Sequence, residues 1–198
     1  MKKIVALLSV LFLWGCFTGG EEFTKLENKQ LILGETTSVK VREIVGRPFQ
    51  MGSVDENGLR FETMVFAFSE ADGEAATDEI TAPARAQTFH FHKDKLVGTK
   101  FNSSYAADST NFDHTLVEQI KIGISTIGEV KNLFGNPGGE RVFPLVKNKN
   151  ERAVVYAYTY TYGGVFNLRM SAKELIVYYD TSTGLVTNVE FEKQGGDR

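Results

Sequence analysis

Residues 23–48 and 112–137 align without a gap at a constant offset of 89, 112 less 23. Phe23, Gln30, Gly34, Val41, Gly46 and Pro48 recur as Phe112, Gln119, Gly123, Val130, Gly135 and Pro137. Leu31, Leu33 and Ile44 are answered by Ile120, Ile122 and Leu133. An apolar and turn pattern repeated in register means two copies of one supersecondary unit.

Within each copy the chain up to Gly34 or Gly123 reads as a short amphipathic helix stopped by glycine. A second helix begins at once, with Thr36-Thr37 or Ser125-Thr126 offering N-cap oxygens. Thr126 and Glu129 complete a capping box, whereas the first copy has Lys40 in the place of that glutamate. Val41, Ile44 and Val45, and Ile127, Val130, Leu133 and Phe134, fall at helical spacing and form one buried stripe. Gly46-x-Pro48 and Gly135-x-Pro137 end it.

Four strands follow in each copy, over residues 49–54, 59–68, 87–93 and 96–102, then 140–146, 153–162, 174–179 and 185–192. The predicted fold class is therefore α+β, a tandem repeat of a helix-helix-four-stranded antiparallel sheet unit, with copies at residues 23–105 and 106–194. Each unit is small enough that its own core is marginal, so the two are expected to pack together.

Lys2 and Lys3 precede an apolar run over residues 4–13, too short to span a bilayer and suited to a signal peptide over residues 1–15. The run ends in Leu13-Trp14-Gly15-Cys16, which resembles the lipobox of bacterial lipoproteins, and Cys16 is the one cysteine of the chain. The resemblance implies lipidation of Cys16, a tether over residues 16–22 and an anchored protein. Acyl chains bury about 0.8 kcal/mol per methylene, so such an anchor is nearly permanent. Phe17 stands where enteric lipoproteins kept in the inner membrane often carry Asp, so the outer membrane is the expected location, on its periplasmic side. Removing Lys2 and Lys3 leaves 20 of the 22 basic residues against 25 acidic ones, a net charge of −5. That balance argues against nucleic acid as a partner.

The phrases Ile122-Gly123-Ile124-Ser125 and Phe134-Gly135-Asn136-Pro137, followed by Tyr156-Ala157-Tyr158, resemble the BamE (SmpA/OmlA) lipoproteins. Residues 33–36 and 45–48 match the same pattern, and the doubled arrangement looks like the β-lactamase inhibitor protein. The first resemblance implies a scaffold or adaptor in outer-membrane protein assembly, with envelope proteins as partners. The second implies an inhibitor-like binder that caps one protein through a doubled sheet surface.

Tyr156, Tyr158, Tyr160 and Tyr162 alternate along one strand and leave the same face, which suits either protein recognition or a core beneath the helices. Phe166, Leu168 and Met170, in a loop between predicted strands, are further candidate contacts if that loop projects from the sheet edge, and bury one face if it extends the hairpin instead. His90 and His92 share a strand face but have no evident third ligand, so they read as its polar side and no metal is expected. Asp72, Glu74, Asp78 and Glu79 crowd one loop without calcium-loop spacing. No triad, phosphate loop or paired-acid motif is present, so neither catalysis nor a cofactor is expected.

Overall fold

Thr37 and Thr126 hold the same place in the two copies, and each turns the chain into an eight-residue helix. The computed structural model describes residues 18–70, 73–75, 77, 82–163, 167 and 169–195. In it α1 is Ser38–Val45 and α2 is Ile127–Phe134. The Thr37 hydroxyl accepts from the Lys40 N–H, while Thr126 and Glu129 satisfy each other's backbone donors in a complete capping box. Gly46 and Gly135 end both helices at φ of 104° and 78°, a region costly for any residue with a Cβ. Gly128 lies inside α2, where an added methyl would meet nothing nearer than the Thr126 hydroxyl at 3.8 Å. Gly128→Ala is expected to raise the unfolding free energy by about 0.5 kcal/mol or more. Chemical denaturation reads this, and a destabilised variant would contradict a helical Gly128.

Among the described residues there are nine strands: β1 (Thr18–Gly20), β2 (Gln50–Glu56), β3 (Leu59–Glu70), β4 (Ala84–His92), β5 (Lys95–Ser103), β6 (Gly139–Val142), β7 (Glu151–Tyr162), β8 (Arg169–Asp180) and β9 (Val186–Gln194). All pair antiparallel in one sheet ordered β1-β3-β4-β5-β6-β7-β8-β9, with β2 also on β3. β1 and β2 share one edge of β3, since Gly20 lies opposite Phe68 and Gln50 opposite Val65.

This architecture corrects the expected fold class. The molecule is one continuous nine-stranded antiparallel sheet with little helix, not two helix-helix-four-stranded units. The expected first helix of each copy is only a 3-10 segment, Asn28–Gln30 or His114–Gln119. The chain after it is held as an extended strap. Gly34 N–H donates to the Leu96 carbonyl and Leu96 N–H to that of Thr36, while Gly123, Val186 and Ser125 repeat the pattern. A helix this short gains too few hydrogen bonds to offset nucleation, so pairing with the sheet prevails. β1 takes up part of the expected tether as well. β6 stops at Val142, and Pro144 soon after lacks a donor to continue the ladder.

The two faces differ. On one, Val41 of α1 packs on Met64, Phe66, Phe89 and Phe101, and Val130 of α2 packs on Val154, Tyr156, Leu175 and Val177. Each such fully buried side chain contributes roughly 1.5–3 kcal/mol. On the other, smaller clusters form around Leu145 with Phe61 and Val97, and Val146 with Ala153, Val155 and Ile176. Neither α-helix takes part in these.

Candidate functional site

Strand alternation sends Ala153, Val155, Ala157, Thr159 and Thr161 of β7 to the face without α-helices. Residues 145 and 146 fold over its Ala153 end. Beyond them the face carries half-buried small or hydroxyl side chains, Thr159 opposite Ala172 on β7 and β8 and Thr88 on β4, the last standing opposite Lys100 of β5.

Charge gathers where the two halves of the sheet meet. Arg141 of β6 is 9% exposed and reaches Glu56 of β2 at 3.2 Å and Glu174 of β8 at 3.3 Å. Lys100 of β5 closes on Glu174 at 2.6 Å. These three ion pairs link elements from both copies, and burial makes the unpaired alternative costly. With Glu190 and Glu192 of β9, which share the face, four carboxylates stand against two cations. The Tyr178 hydroxyl donates to Glu190 at 3.0 Å, and burial with that carboxylate nearby pushes the phenol pKa up.

His90 sits in the same cluster. Its Nδ1 and that of His92 are buried without a hydrogen-bond partner. Burial first, then the charges of Arg141 and Lys100, lower the His90 imidazole to about 4, partly offset by a backbone hydrogen bond at Gly98. It is neutral at ordinary pH. The His92 ring lies 5.5 Å from that of Phe61. No group of three or more His, Cys, Asp or Glu side chains able to hold a metal stands together among the described residues.

The tyrosine row lies on the opposite, helix-bearing face. Tyr156 and Tyr158 are 3% and 4% exposed. The Tyr156 hydroxyl donates to the Gly135 carbonyl at 3.0 Å beneath the end of α2, and its ring meets Phe112 and Phe134. Lys173 lies over the rings of Phe112 and Tyr158 and donates to the Phe112 carbonyl. Burial raises both phenol pKa values. Tyr160 and Tyr162 continue the ladder half-buried, at centroid spacings of 5.4 and 5.7 Å. Met170 is exposed, and Glu74 of the acidic loop is exposed too. Cys16, Phe166, Leu168, Asp72, Asp78 and Glu79 lie outside the described residues. Sequence reading named none of Arg141, Lys100, Glu56 and Glu174, because isolated charges on four strands carry no spacing signal.

Where β6 begins, a cleft of about 630 Å³ opens between Phe101 of β5 and Tyr156 of β7. Its lining is mostly polar loop, including Thr110, Asn111, Lys131 and Asn136. Among the described residues no helix is long and apolar enough to cross a membrane.

No family model matches the chain, the BamE family included, and no curated protein matches it in sequence. A solved structure from Streptococcus mutans, provisionally described as a β-lactamase inhibitor protein, overlaps with 83% of this chain and 91% of its own. The TM-score is 0.40 and the identity 9%. An overlap this loose carries no role over to this chain.

Proposed function

We propose that this protein is a protein-binding module of the cell envelope that seats one folded partner on the sheet face free of α-helices. The carrying observation is the pairing of that open face with the Arg141–Glu56–Glu174–Lys100 cluster at its middle. A preorganised, internally neutralised floor lets a partner dock without ordering long side chains anew. The surplus of carboxylates selects a partner that presents a polar loop of positive charge. The reading stands closer to an inhibitor-like binder than to an assembly scaffold, because the surface is one broad face.

The anchor belongs to the same proposal. Lipidation of Cys16 would leave only Phe17 before Thr18 of β1, a span of about 7 Å at full extension. The β3 edge would then lie near an outer membrane, facing the periplasm.

Thr159→Arg and Ala172→Arg place bulky charge on the open face and leave every cluster residue in place. Either is expected to reduce crosslinked recovery of the partner from native envelopes at least tenfold, with thermal unfolding nearly unchanged. Tyr160→Ala, on the other face, should bind as before. Loss with Tyr160→Ala and retention with Thr159→Arg would overturn the reading and move recognition to the tyrosine ladder.

A further inference from the structure

Two exposed apolar side chains stand where the repeat does not call for them. Phe49 and Met51 are 63% and 60% exposed, more than any other large apolar residue described in the first copy. Their counterparts 89 positions on are Gly138 and Glu140. Those two serve the joint, since Gly138 accepts from the Phe101 N–H and Glu140 donates its N–H to the Thr99 hydroxyl. In the first copy the outer edge of β2 pairs with nothing among the described residues. Met51 lies opposite Met64 of the helix-bearing core, and Phe49, in the bend after Pro48, stands on that same side with Phe66.

The way the chain enters the sheet says what covers this patch. β1 holds the next stretch of the same β3 edge: Gln50 lies opposite Val65 and Gly20 opposite Phe68, about 10 Å further along. Gly20 and Phe49 line one hollow of about 240 Å³ with Phe23, Val45 and Phe66. Residues 1–17 lie outside the described residues and run directly into β1. Lipidation of Cys16, the reading on which this inference rests, would set the acyl chains two residues from Thr18 and bring the β1–β2 edge to the bilayer. The unpaired outer backbone of β2 limits the depth to the headgroup level, where water still serves its N–H and C=O groups. Glu21 and Glu22 are exposed beside the patch against one exposed cation, Arg47, so the attraction to lipid is apolar rather than charged.

We infer that Phe49 and Met51 form a membrane-contact patch, seated in the headgroup zone of the bilayer that carries the anchor. A lipid anchor alone fixes a distance, whereas this patch fixes an orientation. The sheet stands on its β1–β2 edge, β9 points away from the membrane, and the open face stays in water beside it.

Phe49→Trp in the natively processed protein tests it, because cleavage before Cys16 removes Trp14 and leaves the introduced indole as the one tryptophan. In phosphatidylcholine vesicles with brominated acyl chains its emission is expected to fall about twofold or more. Ile124→Trp, 74% exposed and bonded through its neighbours to β9, should keep its emission. A second readout uses Met51→Cys, whose thiol is the one that lipidation leaves free. On the same vesicles it should react with a charged maleimide about tenfold more slowly than Ile124→Cys, since the headgroup zone excludes the reagent. Mass spectrometry of the N-terminus separates the two ways of failing. An unmodified Cys16 would remove the anchor and the inference together. An acylated Cys16 would leave the anchor standing and overturn the inference if the indole is unquenched in a chain of unchanged circular dichroism. Equal reactivity of Met51→Cys and Ile124→Cys would overturn it as well, whatever the tryptophan variant does.

Discussion

Gly139→Val is expected to cost at least about 3 kcal/mol of unfolding free energy, and the loss should fall on the joint between the two halves of the sheet. β5 and β6 share only one ladder position, Gly98 opposite Arg141, supplemented by the Phe101 N–H donating to the Gly138 carbonyl at 3.0 Å. A Cβ on Gly139 would stand 2.7 Å from the Thr99 carbonyl carbon and 2.8 Å from the Lys100 Cα, and nearer still to the Thr99 oxygen. These are backbone atoms, which cannot rotate aside, so the strands must part. Parting them also separates Lys100 from Glu174, a pair that bridges the joint. The position that matches Gly139 in the first copy is Gln50, on the exposed outer strand β2. Gln50→Val should therefore change stability by no more than about 0.5 kcal/mol. Denaturant unfolding of both variants checks the contrast, and equal effects at the two sites would mean that β6 does not approach β5 this closely.

That contrast shows what was legible in the sequence. The repeat placed the second helix of each copy, its cap threonine and its stop glycine, because capping and termination are decided within a few residues. Most strands were legible for the same reason, through period-two alternation, although β1 was missed, β6 ends at Val142 rather than 146 and β8 begins at Arg169 rather than 174. Two things were not. The segments before Gly34 and Gly123 have an apolar spacing that suits a helix, yet their fate turns on hydrogen bonds to Leu96 and Val186, more than 60 residues away in sequence. Fusion of the strands into one sheet depends on Gly138 and Gly139 closing on β5, a fact of tertiary approach that a dipeptide does not announce. The candidate face was hidden for a related reason. Tyr156 and Tyr158 drew attention as a row, but aromatic rings on a strand serve a core as well as a surface, and α2 with Phe112 and Phe134 takes them. Arg141 became visible only once register brought Glu56 and Glu174 to it.

Acid should test the same joint through His90. In the unfolded chain this imidazole titrates near 6.5, whereas in the fold burial and the neighbouring Arg141 and Lys100 hold it at about 4. Between those values the unfolded state binds more protons than the folded state. Stability contributed by the neutral ring is thus fully present above about pH 7 and is lost as pH falls from about 6.5 towards about 4, by roughly 2–4 kcal/mol. His90→Leu removes the titration and deletes a ring whose Nδ1 has no partner to lose, so the leucine variant should show a shallower decline over that range. Comparing denaturation of the two proteins at about pH 7 and about pH 4.5 cancels the carboxylates, which titrate in both. Parallel declines would mean that His90 ionises as freely in the fold as in the unfolded chain. An imidazole proton resonance that titrates near 4 would assign the effect to this residue directly. A value near 6.5 would mean that water reaches the ring. The pH at which His90 takes its proton therefore reports how far the sheet around it excludes water, with Arg141 and Lys100 from the two halves adding to that effect.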